Sequence, residues 1–318
     1  MSKILVTGGA GAIGSFLVRE LCREHEVLVL DDLSSGWMEN LTDLKIRFWR
    51  GSICDDELLN EVFAERPEVV FHLAANFANQ NSVDYPQKDL LVNGMGTLKI
   101  LEYSRRAEVQ RFIYTSSSCV YGASNEPLHE GMVKLGELDT PYAVTKLTGE
   151  QYVSFFQRFH GMQTTIFRLF NSYGPGEYPG KYRNVIPNFF YRAIHNLPIV
   201  ITGTGQETRD FTYISDTVHI LKLGMEQKKA IGQTFNTGTG RETGILDLAQ
   251  RIISLTGSRS ELQFQPRRDW DHITRRVSDV SHLKQALGFQ ANTALDTGLE
   301  RTYAWFCEKN AAHVAAVN

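Results

Sequence analysis

Apolar residues in the first half of the chain fall in short runs that are apolar throughout, separated by longer stretches with helical spacing. Lys3–Thr7 (KILVT), Glu26–Leu30 (EVLVL), Ile46–Trp49, Val69–Leu73 (VVFHL), Arg111–Thr115 (RFIYT) and Thr164–Leu169 (TTIFRL) read as strands. Between them lie segments of helix length, including Ile13–Glu24, Asp56–Glu65, Asp89–Arg106 and Tyr142–Phe159. A strand without polar alternation is buried on both faces, as in a parallel sheet covered by helices. Strands alternating with helices build βαβ units, and right-handed crossovers make a doubly wound α/β sheet the simplest topology.

The pattern loosens after about residue 170, where Gly and Pro cluster in Tyr173–Lys181 (YGPGEYPGK). Phe235–Gly238 and Gly203–Gly205 read as further strand ends or turns. The expected organisation is a first unit over residues 1–170, with segments near 205–245 returning to its sheet, and a smaller α+β region over 171–318. Ala311–Asn318 reads as a frayed tail. With 42% hydrophobic and 22% charged residues, the 318-residue chain has an ordinary globular composition, which argues against wholesale disorder. A formal net charge of −3 gives no electrostatic case for a nucleic-acid or membrane-surface partner. Cys22, Cys54, Cys119 and Cys307 stand far apart, which argues against a disulfide scaffold and suits a reducing compartment. Neither a signal peptide nor a membrane span is evident, so a cytoplasmic protein is expected.

The first strand runs into Thr7-Gly-Gly-Ala-Gly-Ala-Ile-Gly14. Gly9, Gly11 and Gly14 satisfy G-x-G-x-x-G, and Gly8, Gly11 and Gly14 satisfy a related spacing. Such glycines permit a tight turn and let backbone N–H groups approach a pyrophosphate at a helix N-terminus, as in a Rossmann domain. Asp31 ends the second strand 20 residues beyond Gly11 (31 − 11), where a carboxylate meets ribose hydroxyls. That carboxylate repels a 2′-phosphate, and no Arg follows in Asp32–Gly36, so NAD is expected rather than NADP.

Tyr142 and Lys146 share a helical face at i, i+4 spacing behind Pro141. A run of three serines, Ser116–Ser118, sits at the carboxyl end of a predicted strand, where ligands bind in open α/β sheets. A free phenol, with a pKa near 10, is a poor base at neutral pH; a neighbouring ammonium and an oxidised nicotinamide both favour its phenolate. Tyr142 is therefore a candidate base for a substrate hydroxyl, with a serine holding the same oxygen. His72, in FHLAA, reads as structural, and the Tyr152, Phe155, Phe156 and Phe159 stripe as core or helix–helix contact.

Taken together, TGGAGAIG, Asp31, TSSSCVYG, YAVTK, RLFNSYGP and RDFTYISD resemble the extended short-chain dehydrogenase/reductases, specifically their nucleotide-sugar epimerase/dehydratase branch. The resemblance covers nearly the whole chain. It implies Ser117, Tyr142 and Lys146 as catalytic, with Ser117 chosen because it lies five residues before Gly122. It implies NAD contacts from Gly8, Gly11, Ala12, Ile13, Asp31, Asp32, Ile53, Leu73, Ala74, Ala75 and Asn93, besides Tyr142 and Lys146. Ser52 departs from the Asp usual in the branch. For the nucleotide sugar it implies Asn171, Asn184, Val185 and Thr202 beside Ser117, with Arg209 and Arg268 as diphosphate clamps. A homodimer through the Tyr142–Phe159 and Asp89–Arg106 helices is also implied.

Within the branch, 4,6-dehydratases carry an Asp-Glu pair just after the catalytic hydroxyl, and uronate decarboxylases keep the Glu. Here Ser118 and Cys119 stand there. The expected reaction is accordingly epimerisation at C4 of a UDP-hexose, in a protein that is an isomerase. Glucuronate epimerases of the branch place an Arg several residues after YGP to meet the carboxylate; Glu177 and Tyr178 stand there, which favours a neutral UDP-hexose, while the nearby Lys181 and Arg183 keep UDP-glucuronate as the competing substrate. A dehydratase or decarboxylase using Glu177 is the alternative reaction, and a noncatalytic NAD-binding regulator the alternative class.

Overall fold

The computed structural model describes residues 1–317, with side chains through Lys309. Strands β1 (Lys3–Thr7), β2 (Glu26–Asp31), β3 (Ile46–Arg50), β4 (Val69–His72), β5 (Arg111–Ser117) and β6 (Thr164–Leu169) are all parallel neighbours in one sheet. A seventh strand, Thr234–Thr237, pairs with β6 at the edge, in register Thr234 with Ile166. Across the sheet the order is Thr234–Thr237, β6, β5, β4, β1, β2, β3. Chain direction across the sheet therefore reverses at β1, which has β2 on one side and β4 on the other. Open α/β sheets bind ligands outside the carboxyl ends of their strands at such a reversal.

Ile4, Leu5, Val6, Val29, Val70 and Phe71 are fully buried, and each side chain so removed from water is worth about 1.5–3 kcal/mol. Two apolar layers form, one on each face. Helix Ala12–Leu21 and helix Ile214–Glu226 supply one; Asp56–Ala64 and Thr97–Arg106 supply the other. A separate core gathers Phe189, Phe190, Ile199, Ile201, Leu248, Ile252 and Leu299 around the strand pair Ile199–Thr202 and Leu262–Gln265.

Three expectations are corrected. The Asp89–Arg106 segment is not one regular helix: Pro86–Asp89 leads into a π-helical stretch, Leu90–Gly96, before Thr97–Arg106. Such widened turns re-aim side chains; here Asn93 gives its amide N–H to Asp89 and Thr145 and accepts from the Asn76 N–H. The aromatic stripe divides, with Phe156 in the core while Tyr152, Phe155 and Phe159 face outward. The tail expected from Ala311 continues the last helix, Leu295–Val317, and Asn318 lies outside the described residues.

Candidate active site

The turn after β1 is shaped by two glycines. Gly8 has φ +73° and packs where a Cβ would stand 2.7 Å from the Ala74 nitrogen. At Gly14 a Cβ would stand 2.1 Å from the Gly8 carbonyl oxygen, so only glycine lets this helix approach β1 so closely. Helix Ala12–Leu21 begins at Gly11 with no side chain capping it and no acidic residue in its first turn. Its first N–H groups and positive dipole end therefore suit an anion. Gly8, Gly11, Ala12 and Ile13 line the cleft; Gly9 instead packs toward Val29.

At the end of β2 the buried Asp31 accepts from the Ala10 N–H (2.9 Å) and the Leu33 N–H (2.8 Å), which ties it to the glycine turn. Burial raises its carboxyl against these hydrogen bonds. Asp31, Asp32, Ile53, Leu73, Ala74 and Ala75 line the same cleft. Asn93 does not. It stands one layer behind, fixing the Asn76 backbone and so the shape of the wall. A glycine cradle with no room for side chains, uncapped N–H groups and a carboxylate at the end of β2 in the same cleft fit a dinucleotide.

Opposite, the helix Pro141–His160 opens with Thr140 as N-cap, its hydroxyl accepting from the Ala143 N–H, and closes on Gly161 at φ +68°. A Pro start and Gly stop fix its position along the chain. A buried network holds it against the sheet: Arg168 on β6 forks onto Glu150 (2.9 and 2.7 Å) and also donates to the Tyr121 hydroxyl. Tyr142, Lys146 and Ser117 thereby line one wall.

Lys146 does not point at the phenol. Its ammonium donates to the Thr115 carbonyl (2.7 Å) and lies 4.9 Å from the Tyr114 ring centre. Burial pushes it down to about 8, with Asp89 and Glu150 pulling the other way. The Tyr142 phenol is pushed well above its ordinary value by burial, with Cys119, Tyr114 and Asp89 adding to the rise and the Ser117 hydroxyl opposing it. This is opposite to the direction expected from the Tyr–Lys pairing, because burial penalises the phenolate. Ser117 accepts from the Cys119 N–H (3.2 Å), which aims its hydroxyl along the wall.

Beyond Ser117, Tyr142 and Lys146 the cleft continues into a second hollow. Asn171, Asn184, Arg209 and Arg268 line both; Val185 and Thr202 line the second alone. Arg209 donates to the carbonyls of Thr208 and Ile273, and burial lowers it to about 10, so it stays cationic at neutral pH. Asn184 gives its N–H groups to Glu177, whose buried carboxyl is raised to about 7. Glu177 thus orients Asn184. Arg183, Trp270 and Arg276 also line the cleft; Arg183 was expected only as a nearby cation, and Trp270 and Arg276 not at all. Arg183 could have been found beside Asn184 in RNVIP; Arg276 carries no local signal. His72 is structural: it is buried between the hydroxyls of Thr7 (2.7 Å) and Thr97 (3.0 Å), and burial lowers it to about 3.

Residues 4–238 match the family described as the NAD dependent epimerase/dehydratase family. A UDP-glucose 4-epimerase of Mycolicibacterium smegmatis is 35% identical over 97% of this chain and 99% of its own. A UDP-N-acetyl-alpha-D-glucosaminuronate decarboxylase of Bacillus cytotoxicus is 33% identical over 96% and 98%. Among solved structures, the epimerase Mth375 of Methanothermobacter thermautotrophicus superposes with TM-score 0.96 at 47% identity, covering 98% of this chain and 94% of that one. The UDP-glucuronic acid 4-epimerase of Bacillus cereus, in complex with UDP-glucuronic acid and NAD, gives 0.89 at 28%, covering 96% and 99%. Motifs, fold and relatives agree: the chain belongs to the NAD dependent epimerase/dehydratase family, and its cofactor is NAD.

Proposed function

We propose that this protein is an NAD-dependent UDP-sugar 4-epimerase that oxidises C4 of a UDP-hexose transiently and restores hydrogen to the opposite face. One observation carries the choice of reaction. The turn that holds Ser117 continues as Ser118 and Cys119, both in the cleft wall, so neither residue beside the catalytic hydroxyl is a carboxylic acid. Elimination of water or loss of carbon dioxide needs an acid or base that these side chains do not supply.

In this reading the Tyr142 oxygen takes the proton of the C4 hydroxyl while Ser117 donates to the same oxygen. Bound NAD supplies the acceptor for the C4 hydrogen and, when oxidised, a positive ring that favours phenolate. Lys146, fixed on Thr115, adds ammonium charge at the wall's base. Asp31 holds the ribose hydroxyls, and the uncapped start of helix Ala12–Leu21 holds the dinucleotide's pyrophosphate. Arg209 and Arg268 grip the sugar nucleotide's diphosphate, while Asn171, Asn184, Val185 and Thr202 hold its nucleoside end. Residues 1–170 thus serve the cofactor and 171–318 the substrate.

A second reading rests on Glu177. Its carboxyl lines the cleft and, raised to about 7, is poised to exchange a proton at neutral pH. Dehydration or decarboxylation would use it. Incubating the NAD-loaded protein with UDP-glucose, UDP-N-acetylglucosamine and UDP-glucuronate and reading products by NMR decides between the two. The C4 epimer of at least one is expected, with no cofactor added. A 4-keto-6-deoxy sugar, or a pentose with carbon dioxide, selects the second.

A further inference from the structure

Arg183, Arg209, Arg268 and Arg276 line the cleft, and they are not equivalent. Arg183 donates to the Ser35 carbonyl and its charge acts on Glu177, and Arg209 lies within 3.9 Å of Asp271. Arg268 stacks on the Trp270 ring. Arg276 has no such partner. It is 8% exposed, its Nε atom has no hydrogen bond, and its Nη1 donates only to the Cys119 sulfur at 3.4 Å. Among the described residues no carboxylate forms an ion pair with it. Asp139 feels its charge from across the same cleft without pairing.

A buried guanidinium lacking a carboxylate is unfavourable, and a soft thiol offsets little of that. Nor is its backbone free to move away. Its strand, Arg275–Arg276, pairs with Thr208–Arg209, and its carbonyl accepts from the Asp210 N–H. An anion arriving with the substrate is the remaining way to satisfy it. The diphosphate is not the obvious one, because Arg276 contacts the catalytic turn. Cys119 follows Ser117 by two residues and donates its N–H to the Ser117 hydroxyl, so the guanidinium sits against the turn that holds Ser117. Guanidinium and carboxylate match as two parallel hydrogen bonds.

Building on the epimerase reading, we infer that Arg276 is a specificity-determining residue for a carboxylate borne by the sugar itself, so that the natural substrate is an acidic UDP-sugar. The carboxylate has two chemical sources, C6 of a hexuronate or a lactyl ether on C3. Asn79, whose amide donates to the same sulfur, completes the polar wall around it.

Calorimetric titration of the NAD-loaded protein tests this without requiring turnover. The probes are UDP, UDP-glucose, UDP-N-acetylglucosamine, UDP-glucuronate and UDP-N-acetylmuramate. One acidic sugar should bind at least about tenfold tighter than its neutral counterpart, as a desolvated charge pair allows. Which one does identifies the source. In Arg276→Met, which keeps most of the side-chain volume, that preference should collapse toward onefold while affinity for UDP alone changes less than about twofold. Equal or tighter binding of the neutral sugars by the unaltered protein overturns the inference, as does an Arg276→Met variant that loses UDP and UDP-sugars alike. Should that variant not fold, the unaltered protein's preference decides alone. A failure of the epimerase reading would show separately, as acidic-sugar binding without C4 epimer.

Discussion

At the residue scale, the site divides into what short motifs announce and what only the fold assembles. Ser117, Tyr142, Lys146, Gly11 and Asp31 were legible because each sits in a local pattern whose spacing matches its task. Arg276 was not, nor was the bond by which Glu177 holds Asn184. Arg276 reaches the cleft through pairing of two-residue strands some 67 positions apart (276 − 209), and Glu177 acts through Asn184. The direction of the phenol's shift was also illegible, since helical spacing gives a shared face but not where Lys146 donates. That geometry makes a pH prediction. Lys146 has been lowered to about 8, so the free enzyme carries its ammonium below that pH and loses it above. If the charge favours phenolate, kcat/KM falls as pH rises through about 8. In Lys146→Arg, whose guanidinium stays charged, the fall moves beyond about pH 10 at reduced turnover. An alkaline limb unchanged by that substitution would assign it elsewhere.

At the element scale, the strands of the first half were readable to within one or two residues, because burial on both faces leaves an unbroken apolar run. The helix from Pro141 to His160 was equally plain, read as Tyr142–Phe159 behind Pro141, and the structure closes it on Gly161. Reading failed where the backbone departs from regular periods. The π-helical stretch Leu90–Gly96 widens one turn to place Asn93 behind the wall, and no apolar spacing encodes that. The substrate half is assembled from strands such as Ser172–Tyr173, Thr208–Arg209 and Thr212–Tyr213, two residues each, too short to leave a period. Their pairing is long-range: Thr212–Tyr213 joins Ser172–Tyr173, and Arg275–Arg276 joins Thr208–Arg209. Hence the doubly wound sheet could be argued from sequence while the cleft's far end rested on resemblance.

At the scale of the whole molecule, no helix among the described residues is long and apolar enough to cross a membrane. The molecule nonetheless shows water a broad apolar face. Phe159 is 76% exposed, with Phe155 and Tyr152 beside it, and Leu90, Leu91 and Met95 protrude from the neighbouring stretch. Exposed apolar side chains on packed helices suit an association surface, and on that ground we propose the homodimer that the sequence resemblance implies. Light scattering after size exclusion should give twice the chain mass, and Phe155→Glu with Phe159→Glu should halve it; a monomeric unaltered protein would remove the proposal. Everything about function turns on one chemical event, removal and return of hydrogen at C4 with Tyr142 handling the proton. The most direct measurement follows UDP-hexose and UDP-hexuronate deuterated at C4, with the unaltered protein and with Tyr142→Phe. The account predicts a C4 epimer that keeps its deuterium, and a variant slower by about 10²–10⁴-fold with its NAD content intact. Deuterium lost to water, or undiminished turnover in Tyr142→Phe, would contradict it.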